Sequence, residues 1–518
     1  MLLRGLIFVH RWVGIAICIV FLIWFPSGIG MMYWTMPSVT AADRLERSPA
    51  LNAATIVLSS AEAAARLGVD VAPAQIRLNT FDGRPVYRIG GGGRGGGRGG
   101  GRLVYADTGE VQGEISTPMR HRIAGAWTGL PAADATVIEM TEVDQWTVGG
   151  QLRGASPAYK YAWPNGEQVY LAGNTGEVLQ YTTTGSRIAA HVSAIPHWIY
   201  YTPIRKHQPF WLQFMIWTAG IGTIGSIIGV VVGVWMYSPK KRYRNNGAPT
   251  AIPYRGQKRW HTIIGLFFGV ATVTYAFSGM MSLDPFPELY DRRPPAAQGG
   301  ARRGGPGVAQ ALRGRVGMDA FAASHPRDIV AKHPQLRIKE LELTSFAGEP
   351  IFGASLEDGT TRMIRLDGTP VDTFDHSRIV DIVHQSAPVP SAVETTILEQ
   401  YDLYYLDRRR ERPLPVILAK MHDEENTRYY IDPKTARIVG QYSNRNWVGR
   451  WLYTGLHSLN FPWLYNYRPL WDIVVITLMV GGTALCVTSL ILAWRVLGRK
   501  LARAASRRVP TDVLTADS

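Results

Sequence analysis

Two stretches of sequence decide the fold. The first, HRWVGIAICIVFLIWFPSGIGMM at residues 10–32, is long and apolar enough for a membrane helix and begins with a histidine. The second, HTIIGLFFGVATVTYAFSGMMSL at residues 261–283, has the same character. An offset of 251 residues aligns His10 with His261, Gly14 with Gly265, Ser27 with Ser278 and Gly28 with Gly279. This recurrence predicts an internal duplication of the chain.

Two further apolar stretches are related by an offset of 260 residues. It aligns His197 with His457, Pro209 with Pro469, Trp211 with Trp471, Gly222 with Gly482 and Thr223 with Thr483. The same offset continues into polar sequence, where VYLAGNTGEV (169–178) aligns with YYIDPKTARI (429–438). We therefore expect two copies of one helix–domain–helix unit. Because both copies enter the membrane in the same direction, the predicted repeat is parallel, with a pseudo-two-fold axis along the membrane normal.

Four apolar stretches predict four transmembrane helices, at roughly residues 12–36, 210–237, 262–283 and 472–494. The first is interpreted as a retained anchor, because its apolar run is longer than a typical signal core and no small-x-small cleavage site follows it. The basic segments SPKKRYRNNG, YRGQKRW and WRVLGRKLARAASRRVP lie next to spans and predict cytoplasmic N- and C-termini. These segments account for part of the net charge of +15, so the predicted partner is the lipid bilayer and not a nucleic acid.

The predicted fold class is an α-helical membrane protein: a four-helix transmembrane bundle with two external α+β domains built on antiparallel sheets. QVYLAGNTGEV, RLVYADTGEV, TRMIRLDGTPVD and TRYYIDPKTARIV each favour strand–turn–strand, and TIVLSSAEAAARLG and SRIVDIVHQ favour helices. The predicted segments are transmembrane helix 1 (1–37), external domain 1 (38–195), a pre-helix with transmembrane helix 2 (196–238), a basic cytoplasmic loop (239–260), transmembrane helix 3 (261–283), external domain 2 (284–455), a pre-helix with transmembrane helix 4 (456–495) and a basic cytoplasmic tail (496–518).

Two segments rich in glycine and arginine, 90–102 and 292–315, are predicted to be flexible loops. Their arginines could bind anions or lipid headgroups, although an expanded loop in an arginine-rich protein is the favoured interpretation. Segment 90–102 is too rich in glycine to open a helix, so it does not form a dinucleotide-binding motif. We therefore expect no nicotinamide or flavin bound by this chain.

The cysteines exclude several kinds of site. The chain has two, Cys18 and Cys486, and both lie inside predicted spans. The external domains therefore have no disulfide framework. Thiolate zinc sites and iron–sulfur clusters are excluded as well, because they need several cysteines.

Four of the 12 histidines form pairs across the repeat: His10 with His261, and His197 with His457. The others have no matching histidine at these offsets: His121, His191, His207, His325, His333, His376, His384 and His422. Solvated or structural roles are expected for these, with His207 as a fallback ligand because it lies close to the second span. The first pair is predicted near the cytoplasmic face and the second near the external face, so a two-fold axis could bring each pair face to face.

Two opposed imidazoles at one depth favour haem b, and we expect two such groups with bis-histidine ligation, which suits electron transfer. Zinc or copper is disfavoured, because nearby Cys, Asp and Glu ligands are missing. At about 100° per residue, Gly14 lies ~40° from His10 and Gly28 returns to the same helix face. Gly265 and Gly279 repeat this around His261, which makes room for a flat macrocycle or for close helix packing. The alternative for the histidines is an interfacial anchor at headgroup level.

The motifs HRWVGI…PSGIG, KRWHTIIGLFFG…SGMM, PHWIYYTP and LHSLNFPW, with strands such as VYLAGNTGEV between them, resemble the PepSY-associated transmembrane family, also described as iron-regulated membrane proteins. The resemblance implies a bacterial inner-membrane location and two periplasmic PepSY-like domains. Some members are similar to ferric-siderophore reductases, which carry haem in the four-helix bundle. The glycine–arginine segment at 90–102 departs from the family pattern.

These observations lead to a hypothesis of transmembrane electron transfer. A cytoplasmic donor or a quinol supplies electrons, and the acceptor is a ferric siderophore or another periplasmic ferric chelate. No acid–base residue is needed, so no catalytic side chain is predicted. Candidate substrate-binding residues are Arg408, Arg409, Arg410 and Arg412 in YLDRRRERP, although a solvated loop is favoured there.

Two alternatives come from other classes of function. In the first, PepSY-like domains bind peptides or regulate a periplasmic protease without any reaction, and the helices are anchors. In the second, the protein transports an iron chelate or haem. A transporter needs polar or broken mid-membrane segments, and here only Pro26 and scattered Ser, Thr and Gly qualify.

Overall fold

The computed structural model describes residues 1–68, 71–90, 102–286, 307–387, 393–407 and 410–506. The chain divides into two compact units. The helical unit comprises residues 1–36, 188–292 and 447–518, and the sheet unit comprises residues 37–187 and 293–446. Each unit therefore draws on both halves of the sequence.

Four long helices dominate the helical unit: α1 (Leu2–Met31), α8 (Gln208–Met236), α9 (Gly256–Met281) and α14 (Leu470–Ser506), with element labels in chain order. All four are long and apolar enough to cross a membrane, and they cover all or most of each of the four apolar stretches predicted as spans. Helices α1 and α9 each pack against both α8 and α14. Helix α1 begins at Leu2, so it extends about ten residues before the apolar stretch at 12–36 and lies within the predicted segment 1–37. His10 consequently lies two turns inside α1.

Short helical pieces precede α8 and α14. They are α6 (Ala194–Trp198), α7 (Thr202–Arg205), a π-helical segment (Val448–Gly455) and α13 (Pro462–Tyr465). The indole N–H of Trp211 in α8 donates to the carbonyl of Trp198 at 2.8 Å, and that of Trp471 in α14 donates to Ser458 at 3.1 Å. These bonds, made at positions that the 260-residue offset aligns, fasten each pre-helix segment to the long helix that follows it.

Short helices and antiparallel strands make up the other elements. The helices are α2 (Ala41–Arg47), α3 (Ser60–Ala65), α4 (Thr117–Thr128), α5 (Thr184–Val192), α10 (Val308–Arg313), α11 (Pro326–Lys332) and α12 (His376–Ser386). The strands are β1 (Ile76–Phe81), β2 (Arg84–Ile89), β3 (Arg102–Tyr105), β4 (Thr136–Glu139), β5 (Ala158–Ala162), β6 (Gln168–Ala172), β7 (Val178–Thr182), β8 (Tyr243–Asn245), β9 (Ala248–Thr250), β10 (Ile338–Phe346), β11 (Glu349–Leu356), β12 (Thr361–Arg365), β13 (Pro370–Val371), β14 (Val393–Leu398), β15 (Val416–Met421), β16 (Arg428–Asp432) and β17 (Arg437–Tyr442).

The sheet unit contains one sheet of seven strands and two sheets of four. The large sheet has the order β13-β12-β11-β10-β1-β2-β3, and the smaller sheets have the orders β4-β5-β6-β7 and β14-β15-β16-β17. All neighbouring strands are antiparallel, and β1 pairs with β10 through Arg77 opposite Glu342 and Leu78 opposite Leu341. This pairing joins strands from both segments that the sequence assigns to separate domains. The predicted domain boundaries stay a prediction.

Most local predictions for the sheet unit are confirmed. The patterns QVYLAGNTGEV, TRMIRLDGTPVD and TRYYIDPKTARIV form the hairpins β6–β7, β12–β13 and β16–β17, and SRIVDIVHQ lies in α12. The prediction of a second strand in RLVYADTGEV is wrong. The residues after its turn contribute only an isolated bridge between Val104 and Val111.

The loop predicted for 292–315 is wrong over its last part. Residues 308–313 form α10, because Val308 and Leu312, one helical turn apart, are both buried in an apolar cluster. The rest of this segment up to residue 306, and residues 91–101 of the other glycine-rich segment, lie outside the described residues.

A half-buried carboxylate, Asp144, organises the sheet β4–β7. Asp144 accepts hydrogen bonds from the Tyr170 hydroxyl at 2.6 Å and from the Thr147 hydroxyl at 3.0 Å, and it forms an ion pair with Lys160 at 3.1 Å. Burial raises the pKa of this carboxyl, but the Tyr170 hydrogen bond and the Lys160 charge lower the pKa by more, so it lies below its usual range. Asp144 is therefore ionised at neutral pH and helps to hold β5 and β6 together.

Replacing Tyr170 with phenylalanine should destabilise this sheet by about 2 kcal/mol, the typical value of a hydrogen bond to a charged group. Hydrogen exchange of the β5–β7 amides in the full-length protein measures the effect. The contribution of Asp144 is complete above the ordinary carboxyl pKa of about 3.9 and is lost as the pH falls through the lower folded-state pKa. Tyr159→Phe is the control, because it keeps the contact of the ring with Arg120. Equal exchange rates in both variants would contradict the assignment.

Candidate functional site

The structure brings the four repeat-related histidines together as two facing pairs inside the helical unit. The ring centroids of His10 and His261 lie 6.1 Å apart, with 36° between the ring planes. Those of His197 and His457 lie 6.0 Å apart, with 59° between the planes. Each pair joins one histidine from each predicted copy.

The His10–His261 pair is held by α8 and α14. His10 Nδ1–H donates to the carbonyl of Gly225 at 2.9 Å. His261 Nδ1 lies 3.1 Å from the hydroxyl of Thr488, and that hydroxyl donates its own proton to the carbonyl of Leu485. The Thr488 oxygen therefore accepts from His261 Nδ1–H, because a hydroxyl has one proton to give.

The His197–His457 pair is held by α1 and α9 in the same way. His197 Nδ1–H donates to the carbonyl of Trp24 at 3.2 Å and faces the Ser27 hydroxyl at the same distance. His457 Nδ1 lies 3.0 Å from the Ser278 hydroxyl. Both serine hydroxyls donate to carbonyls of their own helices, so they accept from the imidazoles.

The tautomer of all four imidazoles follows from these contacts. Each Nδ1 carries the proton, and each Nε2 therefore presents a lone pair. No Nε2 of the four has a hydrogen-bond partner within the described part of the chain. A histidine whose other nitrogen donates to a carbonyl or hydroxyl is the usual form of a metal ligand.

The spacing of each pair suits one metal between two imidazoles. A metal–imidazole bond is about 2 Å long, so two bonds in line place the nitrogens about 4 Å apart. The ring itself adds to the distance on each side, which brings the centroids to the observed separation of 6.0–6.1 Å. Two ligands per iron is the number that haem takes from a protein in bis-histidine sites.

Burial keeps the second pair neutral. It lowers the pKa of His197 to about 4. Burial and the neighbouring His197 lower the pKa of His457 to about 3. Both imidazoles are thus uncharged at neutral pH, which is the form that binds a metal.

A cavity of about 300 Å³ opens beside the His10–His261 pair. Gly14 and Gly265 line it together with both histidines, as the sequence predicted from the helix periodicity. Apolar side chains form most of its wall. The cations at its edge are Arg11, Lys258 and Arg499. An apolar space with cations beside it fits a macrocycle that carries carboxylates.

Gly28 and Gly279 lie beside the second pair. A Cβ atom on Gly28 would stand 3.6 Å from Cε1 of His197, and one on Gly279 would stand 3.4 Å from Cε1 of His457. Longer side chains at these two positions would fill the space next to the imidazoles. All eight residues predicted to bind the cofactor are thus divided between the two pairs.

A row of aromatic rings lies between the two pairs. Phe21 lines the cavity of the first pair, and its ring centroid is 6.3 Å from that of Phe25. Phe25 meets Tyr275 edge-on at 6.3 Å, and Tyr275 meets His457 at 5.9 Å. The Tyr275 hydroxyl is buried and has no hydrogen-bond partner among the described residues. The space between the pairs is therefore packed with protein atoms.

Several site residues were not predicted from the sequence: Ser27, Ser278, Thr488, Gly225 and Gly229. A Cβ atom on Gly229 would lie 2.4 Å from Cε1 of His10, so only glycine fits there. The signal for the serines was present, because Ser27 and Ser278 align at the same offset as the first histidine pair.

Other predicted residues lie elsewhere. His207 is exposed just before α8 begins and takes no part in either pair. His325 caps α11, and His333 is buried with Nε2 donating to the carbonyl of Gly368, as structural histidines do. Arg410 and Arg412 are exposed in the sheet unit. Arg408 and Arg409 lie outside the described residues.

The described residues contain no group of three or more His, Cys, Asp or Glu side chains that could hold a metal ion. Cys18 and Cys486 are buried free thiols in α1 and α14. The two histidine pairs are therefore the metal-binding candidates on which the site depends.

A comparison with known families identifies the family to which the chain belongs. The model of the PepSY-associated TM region matches residues 8–335, more than half of the 518 residues. The chain belongs to this family. As a PepSY-associated transmembrane protein it is a membrane protein with strand-containing domains, and the match includes His10, His197 and His261 but ends before His457. None of the curated proteins matches the chain.

Replacing Ser278 with alanine should weaken the second pair as a metal site. His457 Nδ1–H loses its acceptor, which leaves the ring orientation and tautomer less defined. Loss of such a partner typically lowers metal affinity about 10- to 100-fold. Haem titration of the apo-protein measures this, and Ser278→Thr should restore the affinity. Thr274→Ala is the control on the same helix, because that hydroxyl bonds to the carbonyl of Val270. An unchanged affinity in Ser278→Ala would show that the hydroxyl does not position the ligand.

Proposed function

We propose that this protein holds two haem b groups, one at each histidine pair, and passes electrons across the membrane to a ferric chelate. The observation that carries the proposal is the state of the four imidazoles. Each imidazole donates a hydrogen bond through Nδ1 to an acceptor on a helix. Each Nε2 has no hydrogen-bond partner among the described residues, and each ring faces a second histidine. This arrangement is costly in a buried site unless a metal completes it.

The ligand geometry also supports a tandem duplication. Each histidine donates to a residue of its own copy and faces a histidine of the other copy, as a two-fold axis along the membrane normal requires. The basic flanks favour a cytoplasmic location for the loop between α8 and α9 and for the two termini. We infer that the His10–His261 pair is on the cytoplasmic side. The sheet unit and the other pair then face the periplasm of a bacterial inner membrane.

Haem supplies reversible one-electron chemistry, and the chain supplies the surroundings for it. The imidazoles bind in pairs, their Nδ1 partners keep the ligating nitrogen unprotonated, and the apolar walls exclude water. The row formed by Phe21, Phe25 and Tyr275 provides a packed medium between the two sites, through which electrons tunnel more readily than through a gap.

The proposed reaction is the reduction of ferric iron in a periplasmic siderophore or a similar chelate. One electron converts the ferric ion to ferrous, and a cytoplasmic reductant or a quinol provides it. Hard oxygen ligands hold ferrous iron less tightly than ferric iron, so reduction releases the metal. The ferric ion accepts the electron without prior cleavage of a bond between iron and the chelate. No acid–base residue is therefore required for this step.

Purified protein from haem-replete cells should show a sharp reduced α-band after dithionite addition. His10→Ala and His261→Ala should each remove one haem equivalent and leave the other, because the ligands of the second pair, His197 and His457, lie outside the long helices that carry His10 and His261. His207→Ala is the matched control and should keep both. Haem content per protein and the reduced-minus-oxidised spectrum are the measurements.

A colourless wild-type preparation would refute haem binding and favour a peptide-binding or regulatory protein with helices as anchors. Loss of both haem groups in His10→Ala, with native folding shown by circular dichroism, would refute the division into two sites.

The exposed arginines offer a test of the acceptor site. The Arg412 guanidinium lies over the Tyr405 ring at 5.4 Å, and its backbone N–H donates to Asp407. If this loop binds an anionic chelate, Arg410→Gln with Arg412→Gln should raise the KM for chelate reduction several-fold and leave kcat and the haem spectrum unchanged. Arg327→Gln, on an exposed arginine of α11, is the control. An unchanged KM would assign the chelate to another surface.

A further inference from the structure

Arg205 is a buried cation without a counter-charge. It ends α7, and 9% of it is exposed. Its guanidinium carbon lies 4.8 Å from the ring centroid of Tyr200 and 4.6 Å from that of Trp211. Its Nε is buried without a hydrogen-bond partner, and no ion pair involves it in the described part of the chain. A buried charge of this kind is strongly unfavourable unless an anion reaches it.

A second unpaired donor lies in the same cluster. The buried indole N–H of Trp24 has no acceptor among the described residues. Trp24 packs against the cluster formed by Ile199, Trp211 and Met215, on which Arg205 lies. Guanidinium and indole groups only donate, so the partner that both lack is an acceptor.

This cluster borders the second histidine pair. The carbonyl of Trp24 accepts the hydrogen bond of His197 Nδ1–H, and the indole of Trp211 donates to the carbonyl of Trp198, the residue after His197. The unpaired donors are thus one or two contacts away from a proposed ligand.

A second arginine stacks on the aligned tryptophan from a different position, because the 260-residue offset aligns Arg205 with Tyr465 and Arg468 with Gln208. Arg468 lies over Trp471, which the 260-residue offset aligns with Trp211. Arg468 pairs with Asp472 through two hydrogen bonds, one of them 2.7 Å long. The position that aligns with Asp472 in the first copy is Leu212. Among the described residues, Arg468 therefore has a carboxylate partner and Arg205 has none.

We propose that Arg205, assisted by the Trp24 indole, binds a carboxylate of the cofactor held by His197 and His457. This inference rests on the proposed function, and it adds the residues that recognise the propionate groups of haem. A guanidinium suits this task because it donates two parallel hydrogen bonds to a carboxylate. A phospholipid phosphate has similar chemistry, so the experiment must separate the two sources.

The test uses full-length apo-protein with His10→Ala and His261→Ala, so that only the second pair remains. Haem b and its dimethyl ester, in which both propionates are neutral, are titrated in parallel by absorbance. Protein with Arg205 should bind haem b at least about tenfold more tightly than the diester, the value of one hydrogen bond to a charged group. Arg205→Met should abolish this preference, and Arg205→Lys should keep part of it. Arg468→Met, the matched control, should keep all of it.

Three results would overturn the inference. One is equal affinity for haem b and the diester in protein that retains Arg205, a result that needs no folded variant at position 205. Another is an undiminished preference in folded Arg205→Met. The third is loss of bound phosphatidylglycerol from Arg205→Met with haem affinity unchanged, which would assign the guanidinium to lipid. Failure of the Arg205 protein to bind either haem would instead refute the proposed function, and this inference with it.

Discussion

The site depends on one kind of hydrogen bond, the donation from histidine Nδ1–H to an oxygen that belongs to a transmembrane helix. In the first pair the acceptors are a carbonyl of α8 and a hydroxyl of α14. In the second pair they are on α1 and α9. Each long helix therefore supplies one acceptor region, and the packing of the four helices decides where every imidazole points. An isolated imidazole on any one helix could rotate and exchange its proton, and the bundle removes that freedom.

Much of this site was predictable from the sequence because the same motifs recur at two offsets. The offsets of 251 and 260 residues identify the four histidines and the four glycines without knowledge of the fold. Helix periodicity then places Gly14 and Gly28 on the His10 face. The acceptors were harder to find. Gly225 acts through its backbone, which no residue type reveals, and Thr488 has no hydroxyl counterpart, since the aligned position is Ile228.

The sheet unit shows a different limit on prediction. Its hairpins are local, so turn residues and alternating patterns were sufficient for β6–β7, β12–β13 and β16–β17. The pairing of β1 with β10 connects residues about 260 positions apart. Neither strand has a sequence pattern that identifies its partner strand. The alternation of side chains between the two faces of the sheet would be the same beside any antiparallel neighbour. Tertiary packing determines the order of the strands in the seven-stranded sheet, and the sequence pattern of a single strand does not reveal that order.

The two halves of the chain differ at several aligned positions beside the histidines. Gly229 is required beside His10, because a Cβ atom there would overlap the ring, whereas the aligned Ser489 places its hydroxyl 3.4 Å from His261 Nδ1. Asp472, which pairs with Arg468, aligns with the uncharged Leu212. Exact symmetry would give both members of a pair identical surroundings. The observed differences give each imidazole its own acceptor and charge environment, so the two sides of each site are chemically distinct although their sequence motifs recur.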